Sequence, residues 1–194
     1  MARWFPVAAL IVLFAGFQIA AVEIDAWPLN FQPLLALAFC AMAMLKGRQS
    51  WVVVVAWLVA WPVLSALRGY GFTEGLLSTA VGFGCVFAVG HFFRRFLSIW
   101  AMLGGVTLGA LSFYLVTNTF SFFELVTLYP RTLEGFVQAQ WTGPNGFGPT
   151  WVFLRNSVTG SLFFTALFSL SQSNLSEPAD PEEEATDEEE TEAA

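Results

Sequence analysis

The chain is 194 residues long, 56% apolar and 16% aromatic, and only 12% of it is charged. Soluble domains average about 45–50% apolar and about 25% charged, so this composition argues against an ordinary water-soluble domain. The net charge of −7 belongs to one tail: residues 177–192 hold ten acidic side chains and no basic one, which leaves eight Lys/Arg against five Asp/Glu in the body. The acidity therefore describes the tail, a solvated segment or a docking segment for a basic partner, and says nothing about a ligand; no nucleic-acid partner is expected.

Residues 4–22 are nineteen residues without a charge, preceded by Arg3. About twenty apolar residues span a hydrocarbon core of roughly 30 Å. The rival reading is a cleaved signal peptide, with Ala20 and Ala21 as its small residues. Glu23-Ile24-Asp25 then makes an acidic turn, and Trp27-Pro28 marks an interface. A second span is expected over 29–45, with Asn30, Gln32 and Pro33 in its first turn and Lys46-Gly47-Arg48 closing it. Proline is tolerated at a helix start because that N–H is unbonded there. The third span, 51–67, carries Pro62 as a kink. The fourth, about 73–92, begins at Glu74 and ends in Arg94-Arg95; the fifth, 97–118, contains the Gly105/Gly109 pair. Small residues let helices approach closely in lipid, and here they predict packed helices. The sixth span runs over 151–170, with Arg155 and Asn156 near its start.

The sequence therefore predicts an all-α, polytopic membrane protein, a bundle of six transmembrane helices whose lipid bilayer is its main partner. Residues 171–194 are expected to form a disordered acidic tail, because so polar a segment cannot bury enough surface to offset its ordering entropy. The Lys/Arg bias places Arg3, Lys46, Arg48, Arg94 and Arg95 inside, with both termini cytoplasmic at a bacterial inner membrane.

Between the fifth and sixth spans lies a loop over 121–150. Tyr129-Pro130-Arg131-Thr132 reads as a turn and LEGFVQAQW as a short amphipathic helix, with Leu133, Phe136, Val137 and Gln140 on one side and Glu134 and Gln138 on the other. It suits either a lid on the outer bilayer surface or a plug packing the bundle's outer face. Gly143-Pro144-Asn145-Gly146 and Gly148-Pro149 supply turns.

No motif for catalysis survives: there is no Walker loop, HExxH or GxSxG, His91 is the single histidine, and Cys40 and Cys85 sit apart in apolar runs. No enzyme, metal or other cofactor is expected. Polar groups at membrane depth mark either a site or a structural partner. Asn30, Gln32, Glu74, Asn118, Arg155 and Asn156 all fall toward the outer side, with Tyr129, Arg131 and Trp141 in the adjoining loop. They form the candidate lining of an outward-facing pocket for a small molecule. The alternative is that they satisfy loop carbonyls and helix ends beneath an interfacial Trp belt.

The stretches TN, YPRT-x-x-G-F, RN-x-x-x-G-x-L-F-F-T-A-L-F and NFQPLLALAF resemble the domain-of-unknown-function family 6580, a bacterial membrane family. The resemblance covers about residues 27–170 and puts Asn30, Phe31, Pro33, Asn118, Tyr129, Pro130, Thr132, Gly135, Arg155 and Asn156 at family positions. It implies a six-helix protein similar to the substrate-binding (S) components of energy-coupling-factor transporters, partnered by a transmembrane coupling subunit. Where the family often carries His before the first Asn, an Asp near the third helix's end and a Gly-Asp in the last helix, this chain reads AWPLN, PVLSALRG and Gly160-Ser161. A non-catalytic accessory subunit of a larger membrane complex is the alternative expectation.

Overall fold

The computed structural model describes residues 8, 12, 17, 30–45, 47–53, 55, 75–96, 98–125 and 127–173. Among them all regular structure is helical: α1 (Leu34–Met44), a helical stretch at 48–53, α2 (Leu76–Phe93), α3 (Ile99–Glu124), α4 (Leu133–Gln140) and α5 (Trp151–Ser173). Most of the expected first and third spans, Glu74, Trp27 and the acidic run beyond Ser173 lie outside the described residues.

α1 is shorter than the 29–45 span that hydropathy predicts. Asn30 takes a left-handed φ of 62° and Pro33 sits at the cap, so the helical ladder opens with Leu37 N–H on the Pro33 carbonyl at 2.8 Å. Every residue from Leu34 to Ala43 is buried. An apolar helix covered on all sides is the centre of its bundle.

α2 and α3 form an antiparallel pair. Ser98 caps α3 by accepting from Ala101 N–H at 3.2 Å. Small residues set the closeness of the helices. A Cβ at Gly90 would stand 2.7 Å from the Phe39 carbonyl oxygen of α1, and one at Gly105 would stand 2.6 Å from the Phe39 ring. Phe83 meets Phe113 edge-on with centroids 4.9 Å apart. The main core joins Phe39, Phe83, Val86, Met102, Val106, Ala110 and Phe168, drawn from four helices. α5 lies against α3 and α1, with the Cys40 thiol 3.8 Å from the Thr165 hydroxyl. Phe17, from the expected first span, packs edge-on to Phe164.

Among the described residues two helices, α2 and α3, are long and apolar enough to cross a membrane. α5 has the length, but Arg155, Asn156 and a run of Ser and Thr dilute its hydropathy. The fifth expected span also runs six residues further than 118, to Glu124, which shortens the loop before α4. The amphipathic helix of that loop is present with a different inner face. Gly135 and Ala139 are buried and Phe136 is half-buried, while Leu133 is 79% and Val137 55% exposed. Leu133 and Val137 turn outward, while Gly135, Ala139 and Phe136 meet the loop and the end of α3.

Candidate functional site: a stitched rim and a break between two helices

The connection after α3 is held by its own motif residues. Tyr129 is buried with Phe122, Ala139 and Phe136, and burial pushes its phenol's pKa up. Arg131 donates from Nη1 to the Phe122 carbonyl at 2.7 Å, and its other terminal nitrogen reaches the Phe123 carbonyl. These are orphan acceptors in the last turn of α3, where a cation also opposes the negative end of the helix dipole. The guanidinium lies over the Phe122 ring, 5.2 Å from its centroid. Thr132 caps α4 by accepting from Gly135 N–H at 3.1 Å. A Cβ at Gly135 would overlap the Pro130 carbonyl oxygen. The YPRT-x-x-G pattern therefore has a physical cause inside the fold. One residue anchors, one ends α3, one starts α4, and the glycine permits the contact.

From there α4 runs back along α3. Phe136 meets Phe122 at 5.5 Å and Gln140 Nε2 donates to the Thr119 hydroxyl at 3.2 Å. Further along, the Tyr114 phenol donates to the Gln140 carbonyl. α5 then continues in the same sense. Trp151 N–H donates to the Trp141 carbonyl at 3.1 Å, so the end of α4 and the start of α5 touch. The ten residues between them fold on themselves: Gln138 Nε2 donates to the Gly143 carbonyl at 3.0 Å, and Gly143 N–H returns to the Gln138 carbonyl at 2.8 Å. Gly143 has φ 74°, and a Cβ there would stand 2.8 Å from the Gly148 carbonyl oxygen, so glycine is required twice over. Together α4 and α5 are one helix interrupted by a compact loop.

Two polar atoms at this break are short of partners: Gln140 Oε1 has none, and the hydroxyl of Thr150, a residue 8% exposed, has only the Tyr114 phenol oxygen. Thr119 gives its own proton to the Leu115 carbonyl at 2.7 Å and so must receive from Gln140, which fixes the amide with Oε1 as the orphan. Thr150 stands beside the Tyr114 phenol, whose proton is already directed at Gln140. Trp141 and Trp151 stack beside the break with centroids 6.4 Å apart and planes at 30°, and Arg155 lies over Trp151 at 5.4 Å. The N–H groups of Trp151, Val152 and Phe153 are bonded to the Trp141, Pro149 and Thr150 carbonyls. The break offers polar atoms beside flat aromatic faces.

Of the residues singled out in the sequence, Asn118, Tyr129, Arg131 and Trp141 gather along α3 and α4. Asn118 Nδ2 bonds back to the Tyr114 carbonyl at 2.9 Å, within its own helix. Arg155 Nε donates to Asn156 Oδ1 at 3.1 Å, and Asn156 is buried. Gln32 is placed by its backbone, which faces Gly160 one turn beyond Asn156 along α5. Asn30 is exposed in the turn before α1. Sequence reasoning passed over Tyr114, Thr119 and Thr150 and counted Gln140 in an apolar row. A tyrosine in the middle of an apolar span and an amide in an apolar row are the signals that mark them.

The geometry is that of an all-helical protein with a polar node at a helix break. The chain belongs to the family of unknown function DUF6580, whose model matches residues 1–179. No curated protein and no solved structure matches it.

Proposed function

We propose that this protein is an integral membrane bundle that binds a small solute at the break between α4 and α5, as an S-component-like subunit without an ATPase of its own. The observation that carries the reading is the buried, unpartnered Gln140 Oε1 beside the Trp141–Trp151 stack, with the Thr150 hydroxyl next to the same break. A buried polar atom with no partner costs about 1–3 kcal/mol, and a bound donor removes that cost. Interrupted helices are where membrane transporters build such sites. A bilayer as solvent is supported by the large apolar side chains on the surface, Trp100 at 80% exposure among them, and by the reach of α2 and α3. On this reading the end bearing Arg48, Arg94 and Arg95 faces the cytoplasm, and the outer end carries α4.

The test uses the full chain purified in mild detergent, with native mass spectrometry for co-purified molecules and thermal shifts against neutral hydrogen-bond donors such as vitamins. A stabilising ligand lost in Gln140→Leu and Thr150→Val supports the site. A ligand that binds those variants equally well places it elsewhere.

A second reading, a non-catalytic accessory subunit of a larger membrane complex, is favoured by one observation. Arg131, Thr132 and Asn118 direct their side chains to backbone groups of the rim itself. Stoichiometric co-purification with larger membrane subunits, and no bound small molecule, would establish it.

A further inference from the structure

We infer that α4 dips into the membrane beside α3, with the outward row Leu133, Val137 and Trp141 lying against lipid acyl chains. The inference rests on the membrane reading above and concerns a surface on which that reading is silent. α3 has 26 residues, about 39 Å at 1.5 Å each, against roughly 30 Å, or about twenty residues, of hydrocarbon. A window of about twenty residues includes 105–118 wherever it falls within α3. Tyr114 is therefore inside the hydrocarbon in every placement, and its phenol is bonded to Gln140, the last residue of α4.

α4 thus descends beside α3, from Phe136 at Phe122 to Gln140 at Thr119 and Tyr114, instead of lying flat on the surface. Val137 stands about 4.5 Å above Gln140, level with about residues 119–121 of α3, which lie in hydrocarbon when the span takes in the outer end of α3. The charges follow the same depth. Glu124, Arg131 and Glu134 lie at the upper end, by the end of α3 and the first turn of α4, and none lies on α4 below them. Arg155, on the next helix, leans back over Trp151 toward α4. Irregular backbone at such depth is tolerated only where protein buries it or it lines a water-filled cavity; Gly143 and Thr150 are buried, and 145–149, which are exposed, must face such a cavity. Among the described residues nothing covers the other side of α4: Leu133, Val137 and Trp141 sit at i, i+4, i+8, and each is more than half exposed.

Spin labels on single cysteines, in a Cys85→Ala background with the protein in phosphatidylcholine vesicles, test this by collision with oxygen, which partitions into lipid, and with a water-soluble nickel chelate. Leu115→Cys, on the exposed side of α3, is the reference. The expected result is that a label at Val137→Cys collides more with oxygen than with nickel, as at Leu115, with a smaller excess at Leu133→Cys near the interface. Oxygen dominance at Leu115 with nickel dominance at Val137 would make α4 a water-facing lid and overturn the inference while leaving the membrane reading intact. Little collision with either reagent at Val137 would mean that a protein covers the row, and would overturn it equally. Nickel dominance at Leu115 would remove the membrane reading itself.

Discussion

Replacing Gly135 by alanine tests the stitched rim at its tightest point. The added methyl would overlap the Pro130 carbonyl oxygen and stand 3.0 Å from both its carbon and the proline Cδ. These are backbone and ring atoms, and Tyr129 on one side and Arg131 on the other hold them in place. Overpacking against groups that cannot rotate away costs about 1–3 kcal/mol, at the upper end here. Alanine's better helix propensity returns about 1 kcal/mol, so the net loss is about 2 kcal/mol. For a chain of this length that lowers the melting temperature by about 4–8 °C. Gly104→Ala is the internal control. Gly104 is also helical, but nothing lies within 4 Å of its missing Cβ, so the propensity gain of about 1 kcal/mol stands alone. Thermal unfolding of both variants in the same detergent decides the matter. Gly135→Ala melting at or above the wild type would refute the argument that the glycine exists for this contact.

Three further outcomes follow from the same rim. Arg131→Met should lower stability by about 1–3 kcal/mol, because it removes charge-assisted bonds to two carbonyls at the end of α3, and hydrogen exchange should accelerate at Phe122–Leu125 before the core. Thr132→Ala should cost about 1 kcal/mol through loss of the α4 cap, with Thr132→Ser restoring most of it in the same melting assay. Tyr129 bears on pH. Its folded pKa is raised, so the folded state favours the neutral phenol. That stability is complete below the unfolded value of about 10 and is lost as pH rises through the folded value. Tyr129→Phe should therefore flatten the loss of melting temperature above about pH 10 and change nothing near pH 7. Parallel alkaline profiles would count against it.

What the residues determine alone is the helical class, the approximate starts of the fourth and sixth spans, and the short helix in the loop. Those follow from local rules: apolar runs, proline and glycine as punctuation, and a threonine placed to cap. The motif YPRT-x-x-G-F is equally visible in the sequence, yet its roles are not. That Arg131 ends α3, and that Gly135 lies under Pro130, depends on contacts across a turn. Two faces were decided only by packing. Helical spacing puts Leu133, Phe136, Val137 and Gln140 on one side, yet Phe136 and Gln140 meet α3 while Leu133 and Val137 point out. The polar node arises the same way. Tyr114, Gln140 and Thr150 are far apart in sequence and unremarkable singly, and they meet because α4 runs back along α3 before α5 begins. Periodicity records which residues share a face of one helix. Which neighbour that face meets, and how close its backbone can come, is a property of the assembled bundle.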